Sequence, residues 1–178
     1  MTNSNKSVRL RALEPDDIDA IYHWENDPSV WTHSAAHQPF SRQTLQRFID
    51  ESSATDIYSS RQLRLMAVNS EGTAVGCADL FDFDPYHRRA GVGVLIDSRL
   101  RNNGYGKSML RELGQFAATH LQLHLLYCDI ADNNIASIRL FESEGFQRCG
   151  TRPGWLWCDN EWHAAHIYQK VLEPPTTI

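Results

Sequence analysis

Apolar and polar residues alternate along this chain with two different periods, and their order predicts an α/β fold. Period-two alternation and short apolar runs are typical of strands. They lie at residues 8–11, 63–68, 73–83, 90–97 and 125–130, with a further strand opening at Phe146 and a last hairpin formed by 155–158 and 162–171. The order is strand, two helices, three strands, helix, strand, helix and two strands.

Four segments place apolar residues at the helical spacing i, i+3 and i+4. They begin at Glu14-Pro15-Asp16-Asp17, after Ser41, near Lys107 and after Asp132-Asn133-Asn134. Proline at the first helical position, acidic residues in the first turn and a serine cap are start signals. Gly145 is a natural left-handed cap that ends the fourth helix.

Composition is that of a globular protein of one domain. The 178 residues are expected to form a single domain, 1–178, with flexible ends at 1–6 and 174–178. A net charge of -5 without a basic stripe argues against a nucleic-acid partner, and no apolar stretch is long enough for a membrane. The four cysteines lack CxxC spacing, so no metal is expected. We therefore expect a cytoplasmic protein.

One short stretch, Arg101-Asn102-Asn103-Gly104-Tyr105-Gly106, predicts an anion site. It joins a strand to a helix, where backbone N–H groups have no intrahelical acceptor and the helix dipole adds partial positive charge. Gly104 and Gly106 would let a phosphate approach the backbone, and Arg101 and Lys107 add full charges. The loop is predicted to hold a phosphate or pyrophosphate; an ordinary strand-to-helix turn is the alternative.

Two nucleotide-binding motifs fail at this loop. Gly106-Lys107-Ser108 looks like the end of an ATP or GTP P-loop, but the first glycine of that motif would fall at Arg101. A dinucleotide fingerprint fails because neither glycine pair, at 91 and 93 or at 104 and 106, is followed by the third glycine. The hypothesis of a nucleotide-dependent kinase or transferase therefore rests on the Gly-Lys-Ser triplet alone.

Gly91 and Gly93 lie within the strand that feeds the loop, although glycine weakens a strand. Such glycines mark a bulge or a place where a ligand approaches the backbone. A splayed strand here would offer free N–H and C=O groups to an extended ligand, as a sheet edge does to a peptide.

The remaining pattern, Arg-x-x-Gly-x-Gly after a strand, resembles the acetyl-CoA pyrophosphate loop of the GCN5-related N-acetyltransferase (GNAT) superfamily. Residues 134–146 match a second family signature, Asn-x-x-Ala/Ser-x-x-Leu-Tyr-x-x-x-Gly-Phe. Val8-Arg9-Leu10-Arg11 and His87-Arg88-Arg89-Ala90 look most like bacterial spermidine N-acetyltransferases and ribosomal-protein alanine acetyltransferases. The resemblance implies an α/β (α+β) GNAT domain, in which four helices flank a mixed central sheet of about seven strands with a splayed strand pair.

The family resemblance implies transfer of an acetyl group from acetyl-CoA to a primary amine, by direct attack in a ternary complex. The strand backbone and the fourth helix would hold the pantetheine arm, and the loop amides would hold the pyrophosphate. The implied acetyl-CoA contacts are Val94, Leu95, Ile96, Arg101, Asn102, Asn103, Gly104, Tyr105, Gly106, Lys107, Asn134, Ser137 and Phe141. A noncatalytic acyl-CoA-binding or sensing domain on the same fold is the alternative.

Two positions depart from the family pattern. Phe141 stands where many members carry the tyrosine that protonates the leaving thiolate, and Gly91 stands where many carry a glutamate base. Asp79 is the first candidate base, because a neighbouring strand can aim it at the same cleft. The alternative interpretation is that Asp79 has no catalytic role and either pairs with an arginine or faces water. The further candidate bases are Asp82, His33 and His37.

The loop between the first two helices is the predicted acceptor site, because loops with aromatic and imidazole groups often line a substrate site. The acceptor-binding candidates are Trp31, His33, His37 and, from the neighbouring strand, Asp82. A surface loop with incidental histidines is the alternative. Ser34–Gln38 lacks the glutamates that spermidine enzymes carry there. A protein N-terminus, an amino sugar or a small metabolite therefore ranks above a polyamine.

Three tryptophans, Trp155, Trp157 and Trp162, crowd the last hairpin. Aromatic-rich strand surfaces often become interfaces, so a homo-oligomer is a further hypothesis. Packing of these tryptophans on the chain's own helices is the alternative.

Overall fold

The computed structural model describes residues 6–31, 38–158 and 160–173 and folds them around one seven-stranded sheet. The strands are β1 (Arg9–Ala12), β2 (Leu63–Val68), β3 (Ala74–Asp84), β4 (Arg89–Ile96), β5 (Leu125–Ala131), β6 (Gln147–Cys158) and β7 (Glu161–Val171). Their order in the sheet is β1-β2-β3-β4-β5-β7-β6. The predicted α/β class and strand number are confirmed.

Four helices of eight or more residues flank the sheet, as predicted. The helices are α1 (Ile18–Glu25), α2 (Pro28–Trp31), α3 (Arg42–Ala54), α4 (Ile57–Ser60), α5 (Tyr105–Thr119) and α6 (Ile135–Ser143). The single turns α2 and α4 were not predicted, because four residues are too few to show a helical period. Within the described ranges, no helix is both long and apolar enough to cross a membrane.

β4 and β5 form a parallel pair that separates soon after it begins. The register joins Arg89–Gly91 to Leu125–Tyr127 and ends there. On its other edge, β4 stays paired with β3 as far as Ile96. The two strands therefore diverge beyond Gly91, which confirms the predicted splayed pair.

Helices cover both faces of the sheet, and each face has its own apolar cluster. Met109 and Leu113 of α5 pack on one face, and Ile21 of α1 and Ile49 of α3 pack on the other. Cys77 of β3 belongs to the second cluster. Because side chains alternate along a strand, β3 and β4 present every second position to the face that α1 and α3 cover. The positions on that face include Asp79, Phe81, Gly91 and Gly93, and Tyr127 of β5 pairs with Gly91 there.

Candidate active site

The loop after β4 presents the start of α5 beside the opening between the splayed strands. Its backbone is left-handed at Asn102 (φ 62°) and at Gly104 (φ 85°). No side chain caps the first turn of α5, and the Ser108 N–H donates to the Gly104 carbonyl at 3.3 Å. The three amides before Ser108 therefore have no intrahelical acceptor. Such a helix start is an anion site.

The two glycines of the loop are needed for different structural reasons. Gly104 needs its positive φ, and among the residues that the structure describes nothing lies within 4 Å of the position that a Cβ would take. At Gly106, a Cβ would lie 2.9 Å from Ile96 Cδ1 and 3.0 Å from Leu140 Cδ2. Gly104 thus leaves the backbone open, whereas Gly106 lets α5 pack closely against β4 and α6.

The remaining loop residues hold the turn and line it with charge. The Asn103 amide donates two hydrogen bonds of 3.1 Å to loop carbonyls. The Arg101 guanidinium lies 3.4 Å from Ser29 Oγ of α2, and Lys107 is exposed. Tyr105 is buried. Its predicted contact with a pyrophosphate can therefore involve its backbone amide rather than its ring.

Asp97 fixes the start of this loop against α1. Its carboxylate is 3% exposed and accepts a 2.9 Å hydrogen bond from Trp24 Nε1. Arg99 donates to both carboxylate oxygens, from Nε at 2.9 Å and from Nη2 at 2.6 Å. The Arg99 guanidinium and the Trp24 hydrogen bond together hold the pKa of Asp97 well below its usual range.

Replacing Asp97 by asparagine should lower the free energy of unfolding by about 2 kcal/mol at pH 7, because charge-assisted hydrogen bonds to a buried carboxylate are lost. The pKa of Asp97 is lowered in the folded state, so this stabilisation is present above the unfolded pKa of about 3.9 and is lost as the pH falls below it. Urea unfolding at several pH values measures the difference between wild type and Asp97→Asn. A difference that grows in acid would contradict the assignment.

β4 lines the opening with an apolar edge that is only half covered. Residues 90–92 are buried, whereas residues 93–96 are half-buried although the sequence stays apolar. Val94, Leu95 and Ile96 lie beyond the last residue that pairs with β5. The backbone groups of this stretch that point away from β3 can therefore pair with an extended ligand.

α6 follows β5, the second strand of the splayed pair. Asn134 caps this helix, and its Oδ1 accepts a 3.2 Å hydrogen bond from the Ser137 N–H. Phe141 is buried, with its ring 5.0 Å from that of Phe146. Asn134 and Ser137 are half-buried and their contact with a ligand stays a prediction, whereas Phe141 is a core residue without a proton to donate.

The ring of Phe81 covers the position where many family members carry a glutamate. Phe81 of β3 is the register partner of Gly91, and its ring occupies the space that a Cβ at residue 91 would take. A side chain at residue 91 would therefore displace the ring. Together, Phe81 and Gly91 account for the missing glutamate base.

Asp79 lies in a half-buried cluster with Arg64 of β2 and Glu25 of α1. Arg64 donates to Asp79 from Nε at 2.6 Å and from Nη2 at 3.0 Å, and it also pairs with Glu25. The Arg64 guanidinium stacks 5.2 Å from the ring centre of Phe48. The structure thus has the arginine pairing that was the alternative for Asp79, and a role of Asp79 as a base stays a prediction.

Trp31, at the end of α2, is half-buried and its Nε1 donates to the Glu25 carbonyl at 2.7 Å. The tryptophan therefore lies beside the cluster of Arg64. His33 and His37 lie outside the described residues, so their roles at the acceptor site stay predictions.

Sequence reasoning missed Tyr127, which lies at the apex of the splayed pair opposite Gly91. Its hydroxyl donates to Asp82 Oδ2 at 3.4 Å, and its ring centre is 6.3 Å from that of Phe81. Burial and the nearby Asp82 carboxylate raise the pKa of Tyr127. A tyrosine in an apolar run reads as a core residue, so only the strand pairing identifies its position.

The three tryptophans of the last hairpin are exposed. Trp155, Trp157 and Trp162 are 60%, 58% and 65% exposed, and the rings of Trp157 and Trp162 are 5.2 Å apart. These side chains therefore do not pack under the chain's own helices. Self-association stays a prediction.

The chain is similar to several known acetyltransferases. The chain is 22% identical over 142 residues to a spermidine N(1)-acetyltransferase of Vibrio cholerae, covering 80% of each protein. It is 25% identical over 161 residues to an aminoglycoside N(6')-acetyltransferase type 1 of Klebsiella pneumoniae, covering 85% of this chain and 79% of that protein. The crystal structure of the Vibrio cholerae spermidine N-acetyltransferase in complex with CoA and spermine superposes with a TM-score of 0.84 at 19% identity, covering 93% of this chain and 96% of the other.

The match to the family itself covers most of the chain. Residues 7–147 match the family described as "Acetyltransferase (GNAT) domain". They include all the strands from β1 to β5, the loop of Gly104 and the whole of α6. The chain therefore belongs to the GNAT acetyltransferases, a family of acyltransferases.

Proposed function

We propose that this chain transfers the acetyl group of acetyl-CoA to a primary amine of a small, polycationic acceptor by direct attack in a ternary complex. One observation carries the proposal: a strand pair that opens beyond Gly91, directly before a helix start without a cap. An extended ligand that ends in a pyrophosphate fits that arrangement, since the strand edge pairs with its amide-bearing arm and the helix start binds its anion.

The residues present fit acetyl-CoA. The amides at the start of α5 would hold the pyrophosphate, with Arg101 and Lys107 as full positive charges beside them. Residues 94–96 of β4 and Asn134 would hold the pantetheine arm. Bound there, acetyl-CoA supplies a thioester carbon that an amine can attack.

The chain contributes position and polarity to the reaction. A β4 backbone N–H directed at the carbonyl oxygen would stabilise the oxyanion that forms when the amine attacks. Holding the amine and the thioester in one cleft lowers the entropic part of the barrier. Phe141 has no proton to give, and a thiolate is a stable leaving group near neutral pH.

Direct attack also agrees with the chemistry of the buried thiols. Burial raises the pKa of Cys77 and of Cys128 to about 12. Neither thiol is then a thiolate at neutral pH, so neither is a nucleophile that could carry the acetyl group. A covalent enzyme intermediate is not needed for an amine acceptor.

We infer the class of the acceptor from the acceptors of the relatives and from the charge of the cluster around Arg64. The named acceptors of the two relatives, spermidine and aminoglycosides, both carry several amines. Asp79 and Glu25 share one arginine, Arg64, on the face that α1 and α3 cover. Two carboxylates and one guanidinium leave this cluster with a net negative charge. A polycation is therefore the acceptor class that we favour over a protein N-terminus.

The test is acetyl-CoA binding by calorimetry, followed by thiol release with spermidine, an aminoglycoside, an amino sugar and a peptide N-terminus. We expect micromolar binding, on the order of -8 kcal/mol, and amine-dependent thiol release with the first two acceptors. Binding without release for any amine would favour the noncatalytic acyl-CoA-binding alternative. The proposal as a whole fails if acetyl-CoA does not bind.

A further inference from the structure

Two aromatic rings and a carboxylate meet at the apex of the splayed strands. Phe81 lies over Gly91, Tyr127 lies opposite Gly91 on β5, and the two rings meet at 78°. The Tyr127 hydroxyl donates to Asp82 Oδ2 at 3.4 Å. We call these three residues the aromatic corner.

The aromatic corner is open to solvent, unlike the core on the other face of the sheet. Phe81 is 36% exposed, Tyr127 is half-buried and Asp82 is exposed. Asp82 also has a positive φ of 49°, within the stretch where the register of β3 and β4 shifts. A large apolar ring that is partly exposed beside a carboxylate has surface to offer a ligand.

The charges around the aromatic corner leave Asp82 without a cation. Arg89 pairs with Asp84, and Arg152 pairs with Asp129. Arg64 is shared by Asp79 and Glu25. Within the described part of the chain, no lysine, arginine or histidine side chain lies within 4 Å of the Asp82 carboxylate.

We propose that the aromatic corner binds an alkylammonium group of the acceptor. The faces of Phe81 and Tyr127 attract a cation through their quadrupoles, and Asp82 supplies the opposite charge. The Tyr127 hydroxyl donates to one oxygen of Asp82 at 3.4 Å, and across the described residues no hydrogen bond engages the other oxygen. This inference rests on the proposed function, and it places the acceptor's nitrogen at the point where the strands begin to separate.

The variant Asp82→Asn tests the carboxylate. We expect it to weaken spermidine binding to the CoA-loaded protein by about ten- to a hundredfold in calorimetry, because a charge-assisted contact is lost. The Phe81→Leu variant keeps an apolar side chain without a π face and should weaken binding by about three- to tenfold. In steady-state kinetics the loss should appear in KM for spermidine, with kcat within about threefold.

Asp84→Asn is the matched control, because it removes a carboxylate two residues away that is already paired with Arg89. It should change spermidine binding by less than about threefold. The inference is overturned if wild type does not bind spermidine, if Asp82→Asn binds as well as Asp84→Asn, or if Asp82→Asn lowers kcat alone. If spermidine binding depends on Asp82 but no acetylation occurs, the proposed function is overturned, whereas the inference about the aromatic corner still holds.

Discussion

Replacing Gly104 by aspartate should weaken acetyl-CoA binding by about a hundredfold or more, because a carboxylate then stands beside the amides that would hold the pyrophosphate. The site is sensitive for two reasons. Residue 104 has open space where a Cβ would be, so the new side chain points outward at the start of α5. Its φ of 85° also strains any residue with a side chain, which disturbs the turn itself. Calorimetry with acetyl-CoA measures the loss.

Gly145→Asp is the matched control for backbone strain. Gly145 has a φ of 87°, and a Cβ there meets only the end of Lys170, at 3.7 Å. Gly145 follows the C-terminus of α6, whereas Asn134 caps its N-terminus. The Gly145→Asp variant therefore adds the same charge and similar strain away from the loop. Gly145→Asp should lose more stability than Gly104→Asp, because its charge lies at the C-terminal end of α6 rather than at the N-terminal end of α5, but only Gly104→Asp should lose acetyl-CoA binding. Equal binding losses in the two variants would mean that strain, rather than charge at an anion site, explains the result.

The features predicted correctly from the sequence are those encoded locally. The apolar run of residues 63–68 and the cap at Ser41 depend on neighbours a few positions away, and both appear where the pattern places them. The glycines at 91 and 93 also indicated the splay, because a strand tolerates glycine poorly unless something approaches its backbone. The family resemblance was indicated by two short motifs of the same local kind, and the match over residues 7–147 confirms it.

The features that were not predicted depend on pairs of residues brought together by the sheet. Phe81 covers Gly91 because β3 and β4 pair in one particular register, which alternation alone does not fix. Asp79 faces Arg64 for the same reason, across β2 and β3. At Gly106, Leu140 and Ile96 explain why a side chain is missing, and its contact with a pyrophosphate stays a prediction. A local motif therefore predicts where the site lies, and long-range register decides which side chains are neighbours there.

Arg64 is the residue whose loss should destabilise the fold most among those near the site. The Arg64→Met variant leaves Glu25 and Asp79 facing each other in a half-buried space without their shared cation. Removing one partner from such a cluster costs about 3 kcal/mol, because the remaining charges stay desolvated. For a chain of 178 residues this corresponds to a fall in Tm of about 6–12 °C. Thermal unfolding by circular dichroism measures it.

Arg42→Met is the control that separates burial from the mere loss of an ion pair. Arg42 pairs with Asp19 at 2.6 Å and stacks 4.9 Å from the ring centre of Tyr22, but its side chain is 58% exposed against 19% for Arg64. An exposed pair contributes at most about 1 kcal/mol, so Arg42→Met should unfold close to wild type. Adding Glu25→Gln and Asp79→Asn to Arg64→Met should recover most of the lost stability, since it removes the uncompensated charge. Two results would contradict this account: a Tm of Arg64→Met equal to that of Arg42→Met, or a triple variant that is no more stable than Arg64→Met. Either result would mean that the cluster holds α1 on the sheet through packing alone.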